Sequence, residues 1–193
     1  ALLSGDESAI DSAMAHKHLS AIFVIRAEEG DAVKHYDEAA AAALVALEML
    51  SKENYPADWA ALQYQLGSIH YKLGFRNGDT DVLRRSLRYY RNALLIYSKK
   101  RTPNRWGEVM AAFGQAAVVF GENEKRLEAL TTAVNVCHAV LEVCDRQSKP
   151  LAWAAAQNNL GSALFLLGKK AHNSQRLQHA IIAFENALEV YQE

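Results

Sequence analysis

Proline, cysteine and charge imbalance are all scarce in this chain. Its 193 residues include 3 Pro, 2 Cys and 3 Trp, and 21 Lys and Arg are offset by 22 Asp and Glu. A net charge of −1 argues against a general nucleic-acid or membrane surface. The longest near-apolar run, Ala39 to Leu47, is far too short to cross a bilayer, which takes about 20 apolar residues. Cys137 and Cys144 lie on one expected helix, about 10 Å apart along its axis, beyond disulfide reach. They read as buried thiols of a reducing, cytoplasmic compartment. There is no glycine-rich phosphate loop, no nucleophile elbow and no recurring carboxylate pair. No catalytic residue and no cofactor are therefore expected, and the chain reads as non-enzymatic. His16 and His18 come nearest to a metal motif, but two positions apart on a helix they diverge, and no Cys or carboxylate completes a site. No metal is expected either.

What little proline there is falls in register. Pro56, Pro103 and Pro150 are spaced by 47 residues, as are Trp59, Trp106 and Trp153. Gly67, Gly114 and Gly161 keep the same step, and so do Gly74, Gly121 and Gly168. A fixed period in the range of about 20–50 residues marks a stacked-repeat protein, which builds an extended surface rather than one catalytic pocket. The units run over about 9–55, 56–102, 103–149 and 150–193, forming a single repeat domain across 1–193. The first is degenerate: Leu19-Ser20 replaces Leu-Gly and Ala27 replaces the second Gly. There Ala39 to Ala43 replace bulky contacts, which predicts less buried area.

Each unit carries two helical patterns. Trp59, Leu62, Leu66, Ile69 and Leu73 share one helical face, and Leu83, Leu87, Tyr90, Leu94 and Tyr97 share another. The prolines suit the first position of a helix, where a missing N–H costs little. The second Gly of each unit is expected to close the first helix in a left-handed conformation. Asp79 or Thr80, and Asn173 or Ser174, are the expected N-caps of the second helices. The first Gly falls mid-helix, which predicts a close helix contact that a side chain would block. The Trp column is expected at the seams, between one unit's second helix and the next unit's first.

This order of residues resembles the tetratricopeptide repeat (TPR) family. The resemblance rests on Leu-Gly at 66–67 and 160–161, Gly at 74, 121 and 168, small Ser86, Ala133 and Ala180, bulky Tyr90 and Phe184, and Ala93 and Ala187. The usual TPR period is about 34, and the Trp-Ala-x-x-Gln-x-Asn-Leu-Gly form at 153–161 is similar to long bacterial units. The resemblance implies an all-α, right-handed α-solenoid of four helix-turn-helix repeats. In that group such arrays often accompany a signalling or protease domain, and none is visible here. The sequence opens on Ala1 without Met or a leader-like segment, as a processed chain or an excerpt of a longer one would.

The resemblance also implies a site. First helices line the concave groove of such arrays, and the groove positions map onto Lys17, His18, Tyr64, Gln65, Ser68, Tyr71, Lys72, Gln115, Asn158, Asn159, Ser162 and Phe165. Amides, hydroxyls and rings suit a protein or peptide partner. Tyr64, Tyr71, Asn158 and Asn159 are expected to be largely exposed. Where some TPR proteins hold a chaperone's terminal carboxylate with Lys and Asn, this chain keeps Lys17 but has Ala21, which disfavours that partner. A competing surface is basic. Val82 to Gly107 contains no acid, and Arg84, Arg88 and Arg91, with Arg85 beside them, oppose the apolar face of the second helix, as would suit an acidic partner. The alternative function is structural. A terminal helix left open at Ile181, Ile182, Phe184, Leu188 and Tyr191 would be covered by a second copy, making a homo-oligomer.

Overall fold

The computed structural model describes residues 3–192; Ala1 and Glu193, the ends of the expected array, lie outside them. Among the described residues every regular element is a helix, as the periodicity requires. The order is α1 (Leu3–Glu29), α2 (Ala32–Met49), α3 (Pro56–Asn77), α4 (Thr80–Ala93), α5 (Pro103–Asn123), α6 (Leu127–Leu141), α7 (Pro150–Ala171) and α8 (Ser174–Tyr191). No helix among the described residues is long and apolar enough to cross a membrane. Two compact units divide between Ile96 and Tyr97. In unit 1, α1 packs on α2, α2 on α3 and α3 on α4; in unit 2, α5 packs on α6, α6 on α7 and α7 on α8.

Pro56, Pro103 and Pro150 each open a first helix, at the position where no N–H partner is needed. Asp79 caps α4 by accepting from the N–H groups of Asp81 and Val82, and Asn173 caps α8 by accepting from that of Arg176. The helix stop differs from the expectation. Gly74, Gly121 and Gly168 stay helical, and the left-handed residue comes four positions later. It falls on Asp31 (φ 38°), Gly78 (64°), Lys125 (54°) and His172 (49°). These four positions keep the 47-residue step through all four helix pairs, including the degenerate first. The glycines instead allow close approach. A Cβ on Gly74, Gly121 or Gly168 would stand 2.8, 2.8 or 2.9 Å from the side chain of Leu83, Leu130 or Leu177 at the start of the second helix. The carbonyls of Gly74, Gly121 and Gly168 accept from the N–H groups of Asp79, Arg126 and Asn173, beyond the helix end. The first glycine column behaves as expected. A Cβ on Gly67 would meet the Tyr90 ring at 2.6 Å, and one on Gly161 the Phe184 ring at 2.9 Å.

The core of unit 1 forms where α2 meets α1 and α3. Ala13, Ala43, Ala46, Leu50, Leu62 and Leu66 make one cluster, and Ala27, Tyr36, Ala39, Ile69 and Leu73 another. Ala39 and Ala43 of the alanine run, and Ala46 after it, are fully buried against their neighbours. In unit 2, α6 meets α7 through Val134, Cys137, Leu141, Leu160 and Leu164, with Val140, Cys144 and Ala156 beyond them. Both cysteines are buried and free, and burial pushes the Cys137 thiol up to about 12. The step also governs surface ion pairs. Lys99 meets Glu142 at 2.7 Å and, one step on, Arg146 meets Glu189 at 2.7 Å. Such exposed pairs add little to stability, because water and salt screen them.

Trp59, Trp106 and Trp153 are only half-buried. Trp153 leans on Ala154 and on Ala187 and Val190 of α8, under the Arg146 guanidinium at 5.8 Å. It therefore packs on the second helix of its own pair while Arg146, from the preceding unit, covers its ring, so Trp153 touches both sides of the seam.

Candidate first-helix binding surface

The expected groove residues lie on first helices, and the structure divides them into those that hold the fold and those that face outward. In unit 1, α1 and α3 are tied directly. Lys17 Nζ meets Asp58 at 2.5 Å. Gln65 Nε2 donates to Ser20 Oγ at 2.9 Å, and Ser20 Oγ donates to the Ala39 carbonyl at 2.7 Å. Lys17 and Gln65 thus also join helices, each through a part-buried polar contact. Ser68 is engaged as well, donating to the Tyr64 carbonyl at 3.2 Å and accepting from the Tyr90 hydroxyl at 3.3 Å.

Outward of these ties lie His18 and Lys72, both exposed, and Tyr64 and Tyr71. The tyrosines are half-buried rather than largely exposed. Tyr64 tilts against Tyr90 with centroids 6.0 Å apart, and Tyr71 stacks on Phe75 at 5.9 Å. Burial raises the Tyr71 phenol above its ordinary range. Phe75 is 58% exposed, so the Tyr71–Phe75 pair is an aromatic platform open on one side and flanked by Lys72. Phe75 carries no signal of its own in the sequence, lying directly after Gly74, where the first helix is expected to end. Gln63 was also missed. It is buried and accepts from Asn92 Nδ2 at 2.9 Å. The signal was available, because Gln157 and Asn186 repeat that pair of residue types two steps later.

In unit 2, Gln115, Asn158 and Phe165 are exposed, and Asn159 and Ser162 half-buried. Ser162 Oγ donates to the Asn158 carbonyl at 3.0 Å, and Lys169 Nζ lies 6.0 Å from the Phe165 ring centroid. This face again offers an open ring beside a lysine, with amides alongside. Among the described residues no three His, Cys, Asp or Glu side chains are placed to hold a metal ion.

On α4, Arg84, Arg85, Arg88 and Arg91 are all exposed, opposite buried Leu83, Leu87 and Tyr90. Arg84 pairs with Asp81 at 2.6 Å. Behind this face His70 of α3 packs on Tyr89 at 4.9 Å, and its Nδ1–H donates to the Leu66 carbonyl at 2.9 Å. Burial, and then the Arg85 and Arg88 charges, push His70 below the ordinary imidazole value, against the Leu66 carbonyl and Asp37. The fold thus holds His70 neutral while the unfolded chain takes up the proton sooner. Stability from this group is present above about pH 6.5 and is lost as pH falls through the lower folded-state value. Melting temperature measured at pH 7 and pH 5 should drop less for His70→Gln than for the native chain. An equal drop in both would remove His70 from the account.

No family model matches the chain. No curated protein matches it. Among solved structures, a chain of the DHF58 filament is similar at 17% identity and a TM-score of 0.41, with 97% of this chain and 94% of that chain covered.

Proposed function

We propose that the chain is a non-enzymatic protein-interaction module of the TPR kind, a right-handed α-solenoid of four 47-residue helix pairs working in the cytoplasm. Its first-helix surface takes a protein or peptide. The observation that carries the binding role is the Tyr71–Phe75 platform with Lys72 beside it. Rings held by their neighbours lose little freedom on binding, and a nearby ammonium favours a partner with acidic groups. The Phe165–Lys169 arrangement in unit 2 supports the same reading. The repeat itself is supported by the left-handed residue that recurs at the 47-residue step. No metal, cofactor, nucleic acid or membrane enters this reading.

Tyr71→Ala and Asn159→Ala should each weaken binding of an established partner by about 1–2 kcal/mol, the usual scale of an interface contact. Calorimetric titration of each variant checks this. The pair Arg84→Glu and Arg88→Glu tests the α4 surface, whose effect would fade at high salt. Release of the partner by the arginine changes, with the tyrosine and asparagine changes silent, would move the site to α4.

A further inference from the structure

The first and last helices expose apolar side chains at positions that are packed everywhere else in their own unit. In unit 1, Leu66 and Ile69 of α3 are 0% and 1% exposed because they pack on α2. One step earlier on α1 stand Leu19 and Ile22, 40% and 51% exposed. In unit 2, Val134 and Leu141 of α6, and Cys144 just after it, pack on α7. One step later on α8 stand Ile181, Leu188 and Tyr191, each about half exposed. So α1 carries the face with which a first helix packs on a preceding second helix, and α8 carries the face that receives one. Phe184 does not belong to this open face, since its ring covers Gly161 within its own pair.

We propose that copies of this chain associate head to tail, α1 of one copy packing on α8 of the next as α3 packs on α2 and α7 on α6. The fit is electrostatic as well as apolar. In unit 2 the last turn of the first helix lies on the left-handed loop of the preceding pair, where Lys170 Nζ donates to the Lys125 carbonyl. The same placement of α1 sets its exposed last-turn acids, Glu28 and Glu29, over the loop at His172, between exposed Lys169 and Arg176. It also sets Asp11 beside Asn158 of the next copy, as Asp58 meets Lys17 in unit 1. A head-to-tail contact uses two different faces, so each copy can engage two others and association continues past a dimer, into rings or open chains of copies.

Sedimentation velocity of the full chain over a wide concentration range tests this. The native chain should grow steadily in size with concentration, and less so at high salt. Ile22→Asp and Ile181→Asp should each weaken growth about ten-fold or more, since both place a charge at the centre of one face. Each variant keeps the other face intact, so an equimolar mixture should form a dimer and nothing larger. Both sites are half exposed, so helicity and melting temperature should stay native; if either variant unfolds, Leu19→Lys and Leu188→Lys take their place. A native chain of one size at every concentration would overturn the proposal. So would a mixture that stays monomeric, or association lost with Ile181→Asp but untouched by Ile22→Asp, which would mean symmetric pairing through α8.

Discussion

Replacing Tyr90 by alanine is expected to lower the unfolding free energy by about 3–5 kcal/mol, the scale for a buried aromatic. Tyr90 is 1% exposed and is the largest of the fully buried side chains. Its ring from α4 fills the space left by Gly67 in α3, where a Cβ would stand 2.6 Å from two ring carbons. Tyr90→Phe should cost only about 1 kcal/mol, for the hydroxyl that donates to Ser68 at 3.3 Å. Burial raises the Tyr90 phenol well above its ordinary range, so that hydroxyl stays protonated. The pairing with Gly67 makes a sharper test. Gly67→Ala alone should cost about 1–3 kcal/mol through overpacking. In the Tyr90→Ala background the same change should instead gain part of the roughly 1 kcal/mol that Ala has over Gly in a helix. Urea denaturation of the four proteins measures the coupling. Additive effects would mean that the ring does not sit on the glycine.

Two glycines of one helix should respond to the same substitution with opposite signs. Gly121→Ala should destabilise by about 1–3 kcal/mol even after the helix-propensity gain. Its Cβ would stand 2.8 Å from Leu130 Cγ and 3.1 Å from the Leu130 backbone nitrogen, and a backbone at the start of α6 cannot step aside cheaply. Gly107→Ala, also in α5, meets only Val143 at 4.0 Å and should stabilise by roughly 0.5–1 kcal/mol. Melting curves of both variants check the pair. Destabilisation by Gly107→Ala, or none by Gly121→Ala, would contradict the packing described for α5 and α6.

The helix pairs were legible because proline and glycine recur where geometry allows few alternatives. Pro103 opens α5 because no other position in a helix tolerates it as well. The helix ends were misread for a related reason. A recurring glycine near a helix end signals either a left-handed stop or a close approach, and sequence alone does not separate them. Here Gly74 serves the close approach, and the stop falls mostly on residues that advertise nothing: Asp31, Lys125 and His172. The candidate surface was legible only as a set of helices. Lys17 and Asp58 are 41 positions apart, and Gln65 and Ser20 are 45 apart, so no local pattern shows that these polar groups are already paired. Conversely, Phe75 follows the glycine expected to close the first helix, and its stacking on Tyr71 depends on α3 continuing to Asn77.

Site-specific photo-crosslinking tests the binding role most directly. Benzoylphenylalanine placed at residue 71 on α3, and separately at residue 88 on α4, reports which surface a bound protein touches. With a partner established by co-purification, the account predicts a covalent protein adduct from position 71 and none from position 88. Adducts from position 88 alone, with the partner demonstrably bound, would contradict it.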